Sequence, residues 1–368
     1  LYAMHWPFHQ PETGRGVRKS VLHDRLEKVG ACFGEMSGWE RANWFAEAGT
    51  KPNYEYSYGR QNWFELSASE HNAARENVAL FDMSSFGKFL LQGKDTEKIL
   101  NRICANDVTV PAGKVVYTAW LNKRGGIESD LTVTRLSEDI FLVITAGANQ
   151  IRDLAWLNKN IPEDAKTSVT DVTSGYTVLS LMGPESRNLM SRLTTEDLSN
   201  QAFPFGTGRE IEIGYAKALA LRMTYVGELG WEIYIPTEFA QDIFDKIIAA
   251  GGEHGLKLAG MHALNSLRLE KAYRHWGHDI TDEDTPLDAG LSFAVKFDKK
   301  GGFIGRDALL KQKESPVLKR RLVQFALDDP QPLLYHNEPI WCGDIIVGDL
   351  TSGMYGHTIG TCLGMGYV

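Results

Sequence analysis

Tyr176-Thr177-Val178-Leu179-Ser180-Leu181-Met182-Gly183-Pro184-Glu185 decides how this chain is read. The first seven residues read as a half-buried strand with alternating faces. Gly183 breaks it, and Pro184 falls at the first helical position, where its missing N–H costs nothing. Leu189, Met190 and Leu193 then give the helix an apolar face. The same unit occurs earlier in the chain. Gly87 to Gln92 is strand-like, Gly93-Lys94-Asp95 opens a helix, and Ile99, Leu100 and Ile103 are its apolar side. Two strand–Gly–helix units point to a duplicated α+β domain.

Between the two units the pattern predicts a β-meander: Val115 to Leu121, a turn at Asn122-Lys123-Arg124-Gly125-Gly126, then Ile127 to Leu136 and Ile140 to Thr145. A further hairpin is expected from Ala218 to Tyr225, with its turn at Gly227-Glu228-Leu229-Gly230 and its return from Trp231 to Ile235. Helices are expected over 64–80, with Ser67 or Ser69 as the cap, over 237–250 and over about 262–275. From about 315 the strands shorten, at Arg321 to Leu327, Pro339 to Trp341, Asp344 to Val347 and the Gly-rich end. This reads as a small C-terminal β-barrel that stops before its last strands. Residues 1–60 carry dense aromatics (Met4-His5-Trp6-Pro7 and Gly38-Trp39-Glu40-Arg41-Ala42-Asn43-Trp44-Phe45) but little periodicity, and read as an arm that packs onto the rest. The division is therefore 1–60, 61–314 and 315–368. The start at Leu1-Tyr2-Ala3-Met4 reads as cut from something longer.

A net charge of -8 disfavours broad nucleic-acid binding, which needs a basic stripe. Cys32, Cys104, Cys342 and Cys362 form no C-x-x-C pair, so they read as reduced thiols, with no zinc site. No apolar run of 18 residues and no signal-peptide pattern is present, so neither a membrane span nor export is expected. G-x-G-x-x-G after a strand, the P-loop, H-E-x-x-H and G-x-S-x-G are all missing. The ten histidines are scattered, and His5 and His9 sit in the arm.

Three features remain. Asp130 follows the Gly125-Gly126 turn; if it faces inward beside Tyr117 it is a buried acid next to a phenol, suited to holding or moving a proton on an amine. An ordinary hairpin with a solvated edge acid has the same residues. Tyr225-Val226-Gly227-Glu228-Leu229-Gly230-Trp231-Glu232 places Glu232 where a carboxylate can accept paired N–H groups from a heterocycle. A plain hairpin acid fits equally. Arg268 and Lys271 lie one turn apart on a helix, either meeting an anionic tail or forming a solvated face.

Taken together these segments resemble one family. Asn122…Gly125-Gly126-Ile127…Asp130, Tyr225…Gly227-Glu228…Gly230…Glu232, Ser266-Leu267-Arg268-Leu269-Glu270, Thr285-Pro286-Leu287…Gly290-Leu291, Phe303-Ile304-Gly305-Arg306-Asp307-Ala308-Leu309 and Gly364-Met365-Gly366-Tyr367-Val368 appear in the order seen in glycine-cleavage T-proteins (aminomethyltransferases). Gly14-Arg15-Gly16-Val17-Arg18, Gly34-Glu35, Gly38-Trp39-Glu40-Arg41 and Trp44-Phe45 are similar to the connector of sarcosine and dimethylglycine dehydrogenases, and Glu270-Lys271-Ala272-Tyr273-Arg274-His275-Trp276-Gly277 leans to the same branch. The resemblance implies a cloverleaf of two related α+β (ferredoxin-like) folate-binding domains and a C-terminal β-barrel. It implies tetrahydrofolate as cofactor, with FAD only on a flavin oxidase domain absent from this chain, and 5,10-methylenetetrahydrofolate as product. The family's catalytic aspartate falls on Asp130, and its pterin-site positions fall on Tyr117, Tyr225 and Glu232. A cytoplasmic setting, or a mitochondrial matrix in a eukaryote, follows from the same resemblance. One departure stands out. The family arginine before the Ser-Leu-Arg segment is Leu264 here, so that folate contact is either lost or taken over by Arg268. The family's non-catalytic folate-binding assembly or repair factors, and glycine-cleavage-type aminomethyl transfer, remain the alternatives.

Overall fold

A computed structural model describes residues 7–315 and 319–368. Met4, His5 and Trp6 of the aromatic arm lie outside the described residues. The duplication is plain in the topology. In the first unit, strand Gly87–Gln92 leads to helix Thr96–Ile103. Strands Val115–Leu121, Ile127–Arg135 and Ile140–Thr145 follow, then helix Gln150–Lys159 and strand Ser168–Asp171. The second unit repeats this order: strand Tyr176–Met182, helix Ser186–Met190, strands Gly208–Ile213, Ala216–Leu221 and Gly230–Pro236, helix Ala240–Gly251 and strand Leu256–Leu258. The meander thus belongs to the first unit's own sheet rather than lying between two units.

Each unit forms one sheet. The first is five-stranded and antiparallel, with Gly87–Gln92 between Ile140–Thr145 and Ser168–Asp171. The second has six strands because Val78–Asp82 inserts between Tyr176–Met182 and Leu256–Leu258. This corrects the helix expected over 64–80. The helix is Phe64–Glu76, and its backbone leaves helical geometry at Asn77. Val78 to Phe81 is apolar and buried on both faces, which suits an inserted central strand. Ser67 is a buried interior residue of that helix and caps nothing.

Gly93 and Gly183 hold equivalent places, each between the first strand of its unit and the helix that follows. Their φ values are +136° and +138°, which side-chain-bearing residues rarely adopt. A Cβ at Gly93 would collide with the Lys166 carbonyl, and one at Gly183 with that of Asn77. Gly183→Ala is therefore expected to cost about 2 kcal/mol or more in chemical denaturation. A change under about 0.5 kcal/mol would show that the two turns are not tightly packed.

Helices cover one face of each sheet. Phe89, Leu91, Leu131, Val133 and Val143 pack on Ile99, Leu100, Ile103 and Leu157 in the first unit. Leu179, Leu181, Trp231, Ile233 and Ile235 pack on Leu189, Ile243 and Ile247 in the second. The opposite faces meet in a shared cluster that holds Leu142 and Ile144 from one sheet, Val178, Leu221 and Tyr234 from the other, and Leu264 and Leu267 from helix Met261–Glu270. That helix ends five residues earlier than expected. Ala272 takes a φ of +51°, and the Tyr273 N–H turns back to the Arg268 carbonyl.

The arm is more regular than its sequence suggests. It forms helix His23–Lys28 and a hairpin of Ala31–Met36 with Trp39–Phe45. Leu22 and Leu26 join the second unit's core, and Trp44 packs with Trp63. The C-terminal part is a four-stranded antiparallel sheet in the order Leu322–Ala326, Thr361–Tyr367, Ile345–Gly356, Pro339–Cys342. Cys32, Cys104 and Cys362 are buried and Cys342 is exposed; all four are free. Among the described residues no helix is long and apolar enough to cross a membrane.

Candidate active site

Strand alternation sets the site. Leu131 and Val133 point to the helices of the first unit, so Asp130 projects from the other face, toward the shared cluster. Asp130 pairs with Ala119 and Tyr117 pairs with Thr132, which makes Tyr117 and Asp130 diagonal neighbours on that face. The Tyr117 hydroxyl donates to Asp130 Oδ2 at 3.0 Å. Glu232 is placed by the same logic in the second unit. Trp231 and Ile233 face the helices, whereas Glu232 and Tyr234 face the shared cluster. The two carboxylates thus emerge on facing sides of the two sheets.

The Gly125-Gly126 turn brings the chain into this position. Asn122 Oδ1 accepts the N–H groups of Arg124 and Gly126, and Asn122 Nδ2 donates to the Asp282 carbonyl. A Cβ on Gly126 would collide with that same Asp282 carbonyl, so the turn is locked against the 279–290 loop.

Burial raises the Asp130 pKa to about 6; the Tyr117 hydrogen bond opposes this, and Asp153 and Asp279 add to it as nearby like charges. Burial also raises Glu232, whose carboxylate, among the described residues, accepts one side-chain hydrogen bond, from the Tyr234 hydroxyl at 2.8 Å. Among the described residues no cation pairs with either acid. Both side chains are half-buried, so both line space that solvent reaches.

Tyr225 lies in the loop between strands Ala216–Leu221 and Gly230–Pro236, not on the strand the sequence suggests. Thr224 Oγ1 accepts the N–H groups of Val226, Gly227 and Glu228 and so ends the strand early. Tyr225 donates to the Arg274 carbonyl at 2.8 Å and stacks on Tyr273. It is close enough to Asp130 for their charges to interact. Tyr117 stacks on Phe293, which is exposed at the surface. Glu228 is not free in its turn; it pairs with Arg75 at 3.0 Å.

Arg268 is the main correction. It does not share a surface face with the exposed Lys271. It is 4% exposed and pairs with Asp279 at 2.6 Å, and it also donates to the Tyr273 carbonyl and to Ser352. An arginine so enclosed ties helix, loop and C-terminal sheet together. Leu264 sits in the shared apolar cluster, so no charge replaces the family arginine at that position. Tyr273 and Arg274 were missed as site-lining residues. Their only sequence signal was the Tyr273-Arg274-His275-Trp276 run, read there as lineage rather than as lining.

Two half-buried carboxylates, each with a phenol and no paired cation among the described residues, thus lie where two duplicated α+β units meet, and the comparisons assign this fold to the folate-dependent aminomethyltransferase-type domains. The sequence model of the GCVT N-terminal domain matches residues 22–299, and that of the glycine cleavage T-protein C-terminal barrel domain matches 320–368. The chain belongs to the glycine-cleavage T-protein family. It is 48% identical over 99% of its length to a 4-methylaminobutanoate oxidase (formaldehyde-forming) of Paenarthrobacter nicotinovorans, and covers 44% of that protein. It is 36% identical to human mitochondrial dimethylglycine dehydrogenase, covering 99% of this chain and 42% of that one. The chain therefore spans less than half the length of these relatives. With the aminomethyltransferase of Listeria monocytogenes it shares 34% identity, over 95% of this chain and 89% of that protein. The crystal structure of aminomethyltransferase T from Bartonella henselae superposes with a TM-score of 0.82 at 26% identity, over 96% of this chain and 90% of that one.

Proposed function

We propose that this chain takes up the carbon of an oxidised N-methyl group onto tetrahydrofolate, giving 5,10-methylenetetrahydrofolate. In this reading 1–60 is a connector, 61–314 the folate-binding cloverleaf with ferredoxin-like halves, and 315–368 the small barrel. The flavin oxidase domain that oxidises an amine such as sarcosine or dimethylglycine is a partner, in the same polypeptide or outside it. The observation that carries the reading is the pair of facing acids, Asp130 with Tyr117 and Glu232 with Tyr234.

The residues present suit a folate. Glu232 has acceptor capacity left over and no cation beside it, which fits the N–H edge of a pterin. Tyr117 and Tyr225, each within electrostatic reach of Asp130, supply aromatic surface near it. Tetrahydrofolate supplies, when bound, the nucleophilic nitrogens that accept the carbon. Asp130 holds or removes the proton of such a nitrogen, and the half-buried setting keeps most water away from it. No dinucleotide-binding motif is present here, so amine oxidation is not assigned to these residues.

Greater identity to the N-methyl amine oxidase than to the stand-alone aminomethyltransferase favours this reading, 48% against 34%. Glycine-cleavage-type aminomethyl transfer is the alternative, supported by coverage of 89% of the Listeria enzyme. The test is titration with tetrahydrofolate, followed by formaldehyde addition and comparison of product formation with the uncatalysed condensation. Glu232→Gln is expected to weaken tetrahydrofolate binding by about 10-fold, the loss of one charge-assisted hydrogen bond. Absence of tetrahydrofolate binding in the unaltered protein would end this reading.

A further inference from the structure

Tyr225 has no strand to hold it. The ladder between strands Ala216–Leu221 and Gly230–Pro236 stops at the pair Leu221 and Glu232, so residues 222–229 leave the sheet. Thr224 closes the turn from within, and at the far end the Leu229 carbonyl accepts the Gly183 N–H and the Ser186 hydroxyl. Between them Val226 is buried in the shared cluster, while Tyr225 stacks on Tyr273 with ring centroids 6.0 Å apart. What bonds to the middle of the loop comes from far away in sequence. Arg75, in the last turn of helix Phe64–Glu76, donates from Nη1 to the Val226 carbonyl and, at 3.0 Å, to Glu228 Oε1. Among the described residues it is the one side chain from outside the loop that bonds to the backbone between Thr224 and Glu228.

The same guanidinium grips helix Met261–Glu270. Nη2 donates to the Leu267 carbonyl and to Glu270 Oε2, both at 3.0 Å, and Nε donates to Glu270 Oε2 at 3.2 Å. All five N–H groups of Arg75 therefore have acceptors. Glu270 is itself anchored. His71 lies 3.4 Å from its Oε2, and its Oε1 accepts the N–H groups of Thr358 at 2.8 Å and Ile359 at 3.3 Å, in the turn before strand Thr361–Tyr367. The Arg75 side chain is 9% exposed and that of Glu270 4%, against 24% for Glu228. The helix end of the link is thus dry and fixed, and the loop end is the softer one. A lysine would not make this set, because its three donors radiate from one point whereas the planar fork reaches loop and helix at once.

We propose that Arg75 is a positioning residue for the Tyr225 loop: it fixes the loop to helices Phe64–Glu76 and Met261–Glu270 and so holds Tyr225 against Tyr273 beside the candidate site. It touches neither Asp130 nor Glu232 and acts only through the loop. That a displaced Tyr225 weakens tetrahydrofolate binding rests on the proposed function above; the link between Arg75 and the loop does not.

The test uses the whole chain with Arg75→Met, Arg75→Lys and Glu228→Gln. Amide hydrogen exchange over 224–230 is followed without ligand, and tetrahydrofolate affinity and transfer kinetics are measured on the same samples. Exchange in this segment is expected to rise in all three variants, most in Arg75→Met. Arg75→Met is expected to weaken tetrahydrofolate binding by about 10-fold, the loss of a charge-assisted bond, and Glu228→Gln by about 3-fold, as suits a half-exposed pair. The rate at saturating folate stays within about 3-fold, and the acidic limb of the pH profile does not move, because Asp130 and Tyr117 keep their hydrogen bond. A purely structural role would lower the melting temperature and the amount of active protein while leaving KM and loop exchange in the folded fraction unchanged; that result overturns the proposal. If Arg75→Met does not fold, Arg75→Lys and Glu228→Gln decide, and unchanged exchange over 224–230 in both overturns it as well. If the unaltered protein binds no tetrahydrofolate, the folate reading fails, while faster loop exchange in the variants still upholds the link.

Discussion

Asp130→Ala will slow methylene transfer by about 10²-fold or more while leaving tetrahydrofolate binding measurable. In the proposed function Glu232 grips the heterocycle and Asp130 meets the accepting nitrogen. Its pKa of about 6 sets the pH dependence, with burial the largest cause. The carboxylate form acts on the nitrogen's proton, so activity rises as pH increases through about 6 and is lost below it. Tyr117→Phe removes the hydrogen bond that stabilises the ionised form, so the acidic limb moves to higher pH. Stability moves the other way. The folded pKa lies above that of the unfolded chain, so the ionised acid destabilises the fold above pH 6, and stability is regained as pH falls from 6 toward 4. Asp130→Asn is thus expected to gain roughly 1–3 kcal/mol at pH 7 while losing activity. Transfer rates measured across pH 5–8, with melting curves on the same samples, check both halves. Unchanged transfer in Asp130→Ala would sink the mechanism.

The duplication and the place of Asp130 were legible because each rests on local chemistry. Gly93 and Gly183 announce a backbone turn that side-chain-bearing residues avoid, and their near-identical φ values show why both units keep glycine. Alternation in Leu131-Thr132-Val133-Thr134 tells which face Asp130 takes once one face is known to be buried. What failed was set by contacts distant in sequence. Val78 to Phe81 follows the preceding helix without a Gly or Pro break, and its pairing with Tyr176–Met182 and Leu256–Leu258, distant in sequence, makes it a strand. Tyr225 looked like strand because its neighbours are apolar, but Thr224 collects three backbone N–H groups and ends the pairing. Arg268 read as meeting an anionic tail or lying on a solvated face because helical spacing pairs it with Lys271. Its true partner, Asp279, comes from a loop whose course the spacing does not encode.

That partner makes Arg268→Met the most destabilising single change expected here, at about 3–5 kcal/mol. Arg268 is 4% exposed and Asp279 fully enclosed. Asp279 Oδ2 takes both the Arg268 guanidinium and the His275 N–H, and its Oδ1 takes the Thr351 hydroxyl at 2.7 Å. Arg268 also reaches Ser352, and Tyr367 donates to the Asp279 carbonyl. The pair therefore ties helix Met261–Glu270, the histidine loop and the C-terminal sheet to one point. Removing the cation leaves a carboxylate in the interior with only neutral donors, and the penalty is its lost compensation rather than the worth of the pair. The double variant Arg268→Met, Asp279→Leu removes both charges and is expected to recover much of the loss. Denaturant melts of the two variants give the comparison. A folate-tail contact predicts the opposite result: a large drop in tetrahydrofolate affinity with stability nearly unchanged. If Arg268→Met behaves that way, the arginine reaches the ligand after all, and the ion pair with Asp279 is not what holds the three elements together.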